Sequence, residues 1–299
     1  MDERVRDWSR RDLLRALAIA GLAPALPGLS AAAAASSQSK EQRMSRVFIT
    51  GSTDGLGLLA ARALITEGHQ VVLHARSKAR AAAVAELAPR AAGIVIGDLA
   101  SAVETRELAA QVNRLGRMDA IIHNAGVFEV PDRAATPEGH ARTLAVNTLA
   151  PYLLTALIDR PGRLVYLSSG MHAGADSSLR DIDWQERRWN ESAAYSESKL
   201  YLTALAFAVA RRWPGVSSNA VNPGWVPTKM GGAGATDDLT QGYLTQAWLA
   251  TSDDPEARTS GGYWFHRKRE QPAAAVGDVA FQDRLMARLA ELTGVTLFA

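Results

Sequence analysis

Two side chains four residues apart, Tyr195 and Lys199, form the pair with the clearest chemical potential in the chain. Four residues is close to one turn of a helix, so both side chains would lie on the same helix face. A free tyrosine has a pKa of about 10, but a neighbouring cation favours the phenolate and lowers that pKa. The pair therefore predicts a tyrosine that exchanges a proton with an alcohol or carbonyl oxygen. Such pairs also occur by chance on exposed helices. The position of this pair in the fold must therefore decide whether it is functional.

A glycine-rich loop at positions 50–57, Thr-Gly-Ser-Thr-Asp-Gly-Leu-Gly, is the second chemical pattern. It follows an apolar strand and opens a helix, where backbone N–H groups and the helix dipole favour the pyrophosphate of a dinucleotide. No lysine follows Gly57, so a nucleoside-triphosphate loop is disfavoured; a tight turn without a ligand is the alternative. The predicted dinucleotide contacts are Thr50, Gly51, Ser52, Asp54, Gly55, Leu56 and Gly57.

Short β-branched runs alternate with longer helical patterns from Arg46 onward, which predicts a parallel sheet covered by helices on both faces. The predicted strands are Val47–Thr50, Gln70–His74, Gly93–Ile96, Ala120–His123, Arg163–Leu167 and Ser218–Val221, with a seventh near Tyr263. The predicted helices are Leu56–Glu67, Lys78–Leu87, Val103–Arg114, Glu138–Ile158, Ala194–Arg212, Leu239–Ala250 and Val279–Thr293. The sequence has no internal repeat or long linker, so residues 44–299 are predicted to form one catalytic domain.

The order of these motifs resembles the short-chain dehydrogenase/reductase family. The resemblance rests on Thr50-Gly51-x3-Gly55-x-Gly57 and Tyr195-x3-Lys199 and covers about Arg46 to Gly294. It implies a Rossmann-type doubly wound α/β sheet of about seven strands. It also implies an oxidoreductase that moves hydride between NAD(P) and a small-molecule carbonyl or alcohol, with Tyr195 as the acid–base group.

The resemblance assigns roles to residues at the ends of later strands. Asp98, followed by Leu99, resembles the aspartate that bonds the adenine ring, and Asn124-Ala125-Gly126 resembles the motif after the fourth strand. Ser169, in preference to Ser168, would hold the substrate oxygen. Asn147 would support a water that links Lys199 to solvent, although a polar residue that caps or kinks the helix is the alternative. The nicotinamide contacts would come from Pro223, Gly224, Val226, Thr228, Tyr195 and Lys199.

The end of the second strand bears on the choice of cofactor. Enzymes that prefer NAD usually carry an acidic residue there, which bonds the ribose 2′-OH. In this chain Ala75 occupies that place and Arg76 follows it. A guanidinium suits a 2′-phosphate, so the sequence favours NADP over NAD, with an exposed arginine of no consequence as the alternative.

The segment between Ser169 and Tyr195 is longer than in compact members of the family and resembles that of retinol-dehydrogenase-like or carbonyl-reductase-like members. Lipophilic aldehydes or ketones are therefore the expected substrates. Four residues are predicted to line the pocket, although aromatic residues near a core more often serve packing. They are Trp184, Trp189, Trp225 and Met230.

Composition narrows the class of partner. The formal net charge is +2, from 33 Lys and Arg against 31 Asp and Glu, so no nucleic-acid partner is expected. The run His266–Arg269 is too short for a basic binding stripe and is predicted to be a solvated loop. The chain has no cysteine, which excludes disulfides, thiolate metal sites and cysteine nucleophiles, and no metal site is predicted.

Residues 1–43 differ in composition and predict an export signal. A charged start, an apolar stretch from Leu13 to Leu26 and an alanine run from Ala31 to Ala35 follow in the order of a cleavable signal. The sequence Ser-Arg-Arg-Asp-Leu-Leu at positions 9–14 resembles the twin-arginine motif, which predicts a periplasmic or exported enzyme. A start at Met44 would instead give a cytoplasmic enzyme. The apolar stretch is too short and interrupted to span a membrane.

Three further hypotheses remain open at this level. The first is a non-catalytic NAD(P)-binding redox sensor or scaffold, against which Asn147, Ser169, Tyr195 and Lys199 argue together. The second is a sugar-nucleotide epimerase, which usually carries a different glycine spacing and a larger carboxy-terminal region. The third concerns assembly: a homodimer or homotetramer formed by helices near Leu149 and Leu202 is common in the family, but this sequence does not show it.

Overall fold

The computed structural model describes residues 44–128 and 130–298. The predicted twin-arginine signal and linker, residues 1–43, lie outside the described residues. Within the described ranges, no helix is both long enough and apolar enough to cross a membrane.

One twisted sheet organises the described chain. Its strands are β1 Arg46–Ile49, β2 Gln70–Ala75, β3 Gly93–Ile96, β4 Ala120–His123, β5 Arg163–Leu167, β6 Ser217–Asn222, β7 Gly262–Phe265 and β8 Lys268–Glu270. They lie in the order β3-β2-β1-β4-β5-β6-β7-β8. The first seven are parallel, and β8 pairs antiparallel with β7. The central strands are buried on both faces, which explains why their sequences are nearly continuous apolar runs.

Helices cover both faces of the sheet. They are α1 Gly55–Thr66, α2 Lys78–Ala82, α3 Ala102–Arg114, α4 Arg142–Leu144, α5 Ala150–Leu157, α6 Glu191–Arg212, α7 Leu239–Thr251, α8 Ala274–Gly277 and α9 Val279–Thr293. Side chains of Asp54, Ser77, Ser101, Asn190 and Asp238 cap the starts of α1, α2, α3, α6 and α7 by accepting backbone N–H bonds. One apolar cluster fills each face of the sheet, so the fold is the doubly wound α/β sheet predicted from the motif order.

Two predicted helices are shorter in the structure. The helix expected over Glu138–Ile158 begins only at Arg142, because residues 136–140 close a turn through bonds between Thr136 and His140. Its middle, Ala145–Leu149, is a π-helical turn. The helix expected over Lys78–Leu87 ends at Ala82 and continues as turns that bury Val84 and Leu87 against the core.

The prediction that the basic run His266–Arg269 is a solvated loop was wrong about its backbone conformation. His266 and Arg267 form a hairpin turn with φ values of +48° and +62°, and Lys268 begins the eighth strand. Turns with two positive φ values match the twist of paired strands. The side chains of β8 are exposed, so the prediction was right about solvation and missed the backbone pairing with β7.

Leu149 and Leu202, around which pairing of two chains was considered, are 5% and 1% exposed within this single chain. Both belong to the cluster that also contains Leu285 and Leu289 of α9, and α6 packs against α9. These two leucines therefore stabilise the fold itself and are unavailable to a second copy.

Candidate active site

Four strands end at one edge of the sheet, and each leads into a predicted site segment. The glycine loop follows β1, Asn124 follows β4, Ser169 follows the end of β5 and Pro223 follows β6. The strand order reverses between β1 and β4, and ligands of open α/β sheets bind at such a switch point, outside the carboxyl ends of the strands. The topology thus brings together segments that are far apart in sequence.

The glycine loop has a shape that only glycine permits at three positions. Gly51 and Gly55 have φ values of +65° and +51°. A Cβ on Gly57 would lie 2.4 Å from Nδ2 of Asn124 and 2.6 Å from the Gly51 carbonyl oxygen. The loop can therefore lie flat at the start of α1, where free N–H groups suit a pyrophosphate. This open backbone cradle fits a dinucleotide.

Gly57→Ala is expected to lower the free energy of unfolding by about 1–3 kcal/mol, the usual cost of overpacking, and to weaken NADPH binding. The added methyl group would collide with Asn124 and with the Gly51 carbonyl. Thermal denaturation and a fluorescence titration with NADPH measure the two effects. Gly277→Ala is the control, because a Cβ there meets nothing within 4 Å. Equal behaviour of the two variants would contradict the packing argument.

Several residues predicted to contact the dinucleotide instead hold the glycine loop in place through hydrogen bonds to neighbouring strands. Oγ1 of Thr50 accepts hydrogen bonds from the backbone N–H groups of Asn124 and Ala125, at 2.9 and 3.0 Å. Oγ of Ser52 accepts a bond from the His74 backbone N–H at 2.8 Å. Both hydroxyls belong to buried residues, and Nδ2 of Asn124 donates to the Thr50 carbonyl. The structure therefore gives these side chains internal partners and leaves the backbone to face a ligand.

The acidic residues predicted at the cofactor site differ in their surroundings. Asp54 caps α1 and pairs with Arg80 at 3.1 Å and Lys229 at 2.6 Å. The bond from Lys229 holds the pKa of this carboxyl below its usual value. Asp98 accepts a bond from the Ala100 N–H and remains partly exposed, whereas Leu99 is buried in the core. Leu99 therefore offers a ligand its backbone alone.

Tyr195 and Ser169 meet in one cavity. Tyr195 lies in the second turn of α6 and is 7% exposed, with its ring 4.7 Å from that of Phe128. Ser169 caps the short turn that follows β5, and both residues line the same cavity. Hydrogen bonding from the Ser169 side chain lowers the pKa of the Tyr195 phenol. The two hydroxyls can therefore hold one substrate oxygen between them.

The protonation states differ from the prediction. Burial raises the pKa of Tyr195 to about 12, and the bond with Ser169 only partly opposes this. Burial lowers the pKa of Lys199 to about 8. Nζ of Lys199 lies 5.5 Å from the tyrosine ring centre and donates to the Leu167 carbonyl at 2.7 Å, so burial rather than the ammonium dominates the pKa of Tyr195. At neutral pH Tyr195 therefore holds its proton and can act as an acid.

Asn147 lies in the π-helical turn and is fully buried. Its Oδ1 accepts from the Val127 N–H at 2.8 Å, and its Nδ2 donates to the Val127 carbonyl and to Oγ of Ser198. Oδ1 of Asn147 and Nζ of Lys199 each lie 3.3 Å from the position a Cβ on Gly126 would take. The π-helical turn thus brings the amide to the same space next to Gly126 that the ammonium reaches, and π-bulges are frequent at functional sites.

The two serines after β5 have separate partners. Both serines line the cavity, but Oγ of Ser168 lies 2.6 Å from Oγ1 of Thr203 on α6, which occupies its hydroxyl. His172 holds the segment from below: its Nδ1 lies 2.8 Å from the Ser169 carbonyl, and its Nε2 accepts the Ala273 N–H at 3.0 Å. No sequence pattern selects His172 beyond its closeness to Ser169 in the chain.

The cavity has a volume of about 530 Å³ and an apolar mouth. Trp225, Met230 and Met171 line it and are 55%, 41% and 40% exposed. Val226 and Thr228 of the segment predicted to hold the nicotinamide also line it, as do Pro223 and Gly224. The apolar side chains therefore surround the two hydroxyls on the side open to solvent.

Trp184 and Trp189, also predicted to line the pocket, do not. Nε1 of Trp184 donates to Glu197 at 3.1 Å, and Nε1 of Trp189 donates to the Val130 carbonyl at 2.9 Å. Their rings meet edge to face at 5.5 Å, and Arg187 stacks on Trp184. These tryptophans anchor the long insert before α6, because their polar atoms find partners in the protein interior.

Arg76 is exposed at the carboxyl end of β2. Within the described part of the chain no hydrogen bond or ion pair occupies its guanidinium, whereas the nearby Arg80 is paired with Asp54. An unpaired guanidinium at the end of β2 can donate two hydrogen bonds to one phosphate.

Comparison with known proteins agrees with this geometry. The short chain dehydrogenase family model matches residues 45–178. Short-chain dehydrogenase chyC of Penicillium rubens is 42% identical over 85% of this chain and 99% of its own length. Retinol dehydrogenase 13 of Homo sapiens is 30% identical over 83% of this chain and 84% of its own. A crystal structure of an uncharacterized protein from Mycobacterium paratuberculosis superposes with a TM-score of 0.71 at 26% identity, covering 85% of this chain and 95% of that one. The chain belongs to the short-chain dehydrogenase family of NAD(P)-dependent oxidoreductases.

Proposed function

We propose that the enzyme reduces bulky, lipophilic ketones or aldehydes with NADPH and oxidises the corresponding alcohols in reverse. One observation carries the proposal: the hydroxyls of Tyr195 and Ser169 share an apolar cavity at the carboxyl edge of the sheet, with Lys199 buried behind them. A bound nicotinamide dinucleotide supplies the hydride, or accepts it in the oxidative direction.

The residues of the chain handle the oxygen and its proton. Ser169 and Tyr195 donate hydrogen bonds to the carbonyl oxygen and stabilise the negative charge that develops there. Tyr195, protonated at neutral pH, then gives its proton to that oxygen and completes the alcohol. Lys199 and Asn147, which both reach the space next to Gly126, form the route by which the proton is replaced.

The cavity mouth supports an apolar substrate. Trp225, Met230 and Met171 present large apolar surfaces to a ligand, and flexible methionines adapt to different shapes. The human relative named retinol dehydrogenase 13 is consistent with this class of substrate. Asp237 also lines the cavity, and its carboxylate accepts a hydrogen bond from the backbone N–H of Trp225 at 2.6 Å. This negative charge disfavours anionic substrates.

A substrate screen tests the proposal. Purified enzyme is supplied with NADPH or NADH and with three groups of carbonyl compounds: long-chain or polycyclic ketones and aldehydes, small polar ketones, and 2-oxo acids. We expect the highest kcat/KM with the first group and NADPH. Turnover confined to 2-oxo acids would refute the substrate class, and equal kcat/KM with both cofactors would refute the cofactor preference.

Arg76→Ala is expected to raise the KM for NADPH about 10- to 100-fold, equivalent to one charge-assisted phosphate contact of about 1.5–3 kcal/mol. The KM for NADH should stay within about twofold, because NADH has no 2′-phosphate for the guanidinium to bind. Steady-state kinetics with both cofactors measure the split. Arg114→Ala, an exposed arginine at the other end of the sheet, is the control. A parallel rise in both KM values would instead indicate a structural role for Arg76.

A further inference from the structure

A buried histidine joins the two loops that flank the adenosine end of the candidate site. His74 belongs to β2 and is 2% exposed. Its Nδ1 accepts the backbone N–H of Gly51 at 2.9 Å, and its Nε2 lies 2.8 Å from the Gly97 carbonyl oxygen. Its own backbone N–H donates to Oγ of Ser52. One side chain thus fastens the first glycine of the cradle to the residue that precedes Asp98.

These partners determine where the histidine proton lies. A backbone N–H can only donate, so Nδ1 must carry a free lone pair toward Gly51. A carbonyl can only accept, so the proton must sit on Nε2 and point at Gly97. The neutral ring satisfies both loops. A doubly protonated ring would place an N–H against the N–H of Gly51.

We propose that His74 is a positioning residue for the dinucleotide: its neutral ring holds Gly51 and Gly97 in the conformation that binds the cofactor, and its protonation loosens the cradle. The residue acts through the loop backbone rather than through the 2′-phosphate. Its effect is therefore the same for NADPH and NADH, unlike that of Arg76.

The surroundings favour the neutral ring at physiological pH. Burial lowers the pKa of His74, while the Gly97 carbonyl and the charge of Asp98 partly oppose this. Asp98 is the charged side chain that raises the pKa of His74. The Phe48 ring of β1 packs edge to face against the His74 ring. Since the pKa is below the ordinary histidine value, cofactor affinity should be constant near neutrality. Affinity should fall as the pH drops below about 6.5, the ordinary value.

Three variants of the full chain separate positioning from packing. His74→Leu removes both ring hydrogen bonds. His74→Gln keeps one acceptor and one donor at a similar separation but cannot be protonated in this range. His69→Leu makes the same change at another buried histidine, just before β2, whose Nδ1 bonds Ser45 at the opposite end of the strand.

Fluorescence titrations with NADPH and NADH in a pH series that descends from 7.5, with melting temperatures alongside, measure binding independently of turnover. At pH 7.5 we expect His74→Leu to weaken binding of both cofactors about tenfold, as expected for a buried donor left unpaired. His74→Gln should stay within about threefold of wild type. His69→Leu should lower the melting temperature but leave affinity unchanged. As the pH falls from 7.5, wild type should lose more affinity than His74→Gln once the ring gains its proton.

Either of two results would overturn the proposal. The first is binding by His74→Leu as tight as by His69→Leu at pH 7.5. The second is an equal loss of affinity in wild type and His74→Gln at every pH at which both chains stay folded, which would show that the ring proton has no effect. If His74→Leu does not fold, the comparison of wild type with His74→Gln across pH alone decides. If no carbonyl were turned over while the binding titrations gave the expected results, the proposed reaction would be refuted and the proposal for His74 would stand.

Discussion

Tyr195→Phe is expected to lower kcat for carbonyl reduction about a thousandfold, within the range of general acid catalysis, while NADPH affinity stays within about threefold. The change removes one oxygen atom from a buried side chain that lines the cavity beside Ser169. Without that hydroxyl, the developing alkoxide loses both a hydrogen bond and its proton donor. Single-turnover oxidation of NADPH, followed by absorbance, measures the chemical step directly.

Tyr201→Phe is the matched control for this experiment. Tyr201 lies on the same helix, is 2% exposed and bonds Glu197 rather than Ser169. The variant should keep the wild-type kcat and lose only stability. Wild-type turnover in Tyr195→Phe would show that the phenol is not the acid. If neither wild type nor variant turned over any carbonyl while both bound NADPH, the hypothesis of a redox sensor or scaffold would be favoured instead.

The parallel sheet was the most predictable part of the molecule. Three predicted strands, Gly93–Ile96, Ala120–His123 and Arg163–Leu167, have the bounds that the structure shows, whereas the bounds of β1, β2 and β6 differ by one residue. Strand Lys268–Glu270 was missed because its three residues are charged and exposed, and only pairing with β7 makes them a strand. Such a pairing depends on the neighbouring strand and cannot be predicted from the local sequence.

The candidate site was predictable in its membership and not in its electrostatics. Tyr195, Lys199, Ser169 and Asn147 come together as the motifs implied. The pKa of Tyr195 could not be predicted, because it depends on burial and on where the ammonium of Lys199 points, and both arise from packing. His74 had one available signal: it is the single ionisable residue within an otherwise apolar strand interior, Val71 to Ala75. That signal alone does not separate a core histidine from one that holds a loop.

Lys199→Met is expected to lower kcat/KM for NADPH-dependent reduction by about two to three orders of magnitude. The buried ammonium lies behind the phenol and makes one described bond, to the Leu167 carbonyl, so it can still donate toward the cofactor and toward a proton-carrying water. Methionine fills a similar volume and keeps the packing, which confines the loss to charge and hydrogen bonding. Kinetics at pH 7 and an NADPH titration measure the two consequences, with the exposed Lys268→Met as the control.

The pH profile gives this prediction its sharpest form. Burial lowers the pKa of Lys199 to about 8, so the wild-type ammonium loses its proton as the pH rises through that value. Reduction by wild type should therefore decline above about pH 8. In Lys199→Met that decline should vanish, leaving a low, flat profile between pH 7 and 10. Burial raises the pKa of Tyr195 to about 12, so we expect the phenol to titrate at a higher pH than the ammonium. A basic decline that persists unchanged in the variant would show that another group titrates and that Lys199 does not supply the charge on which reduction depends.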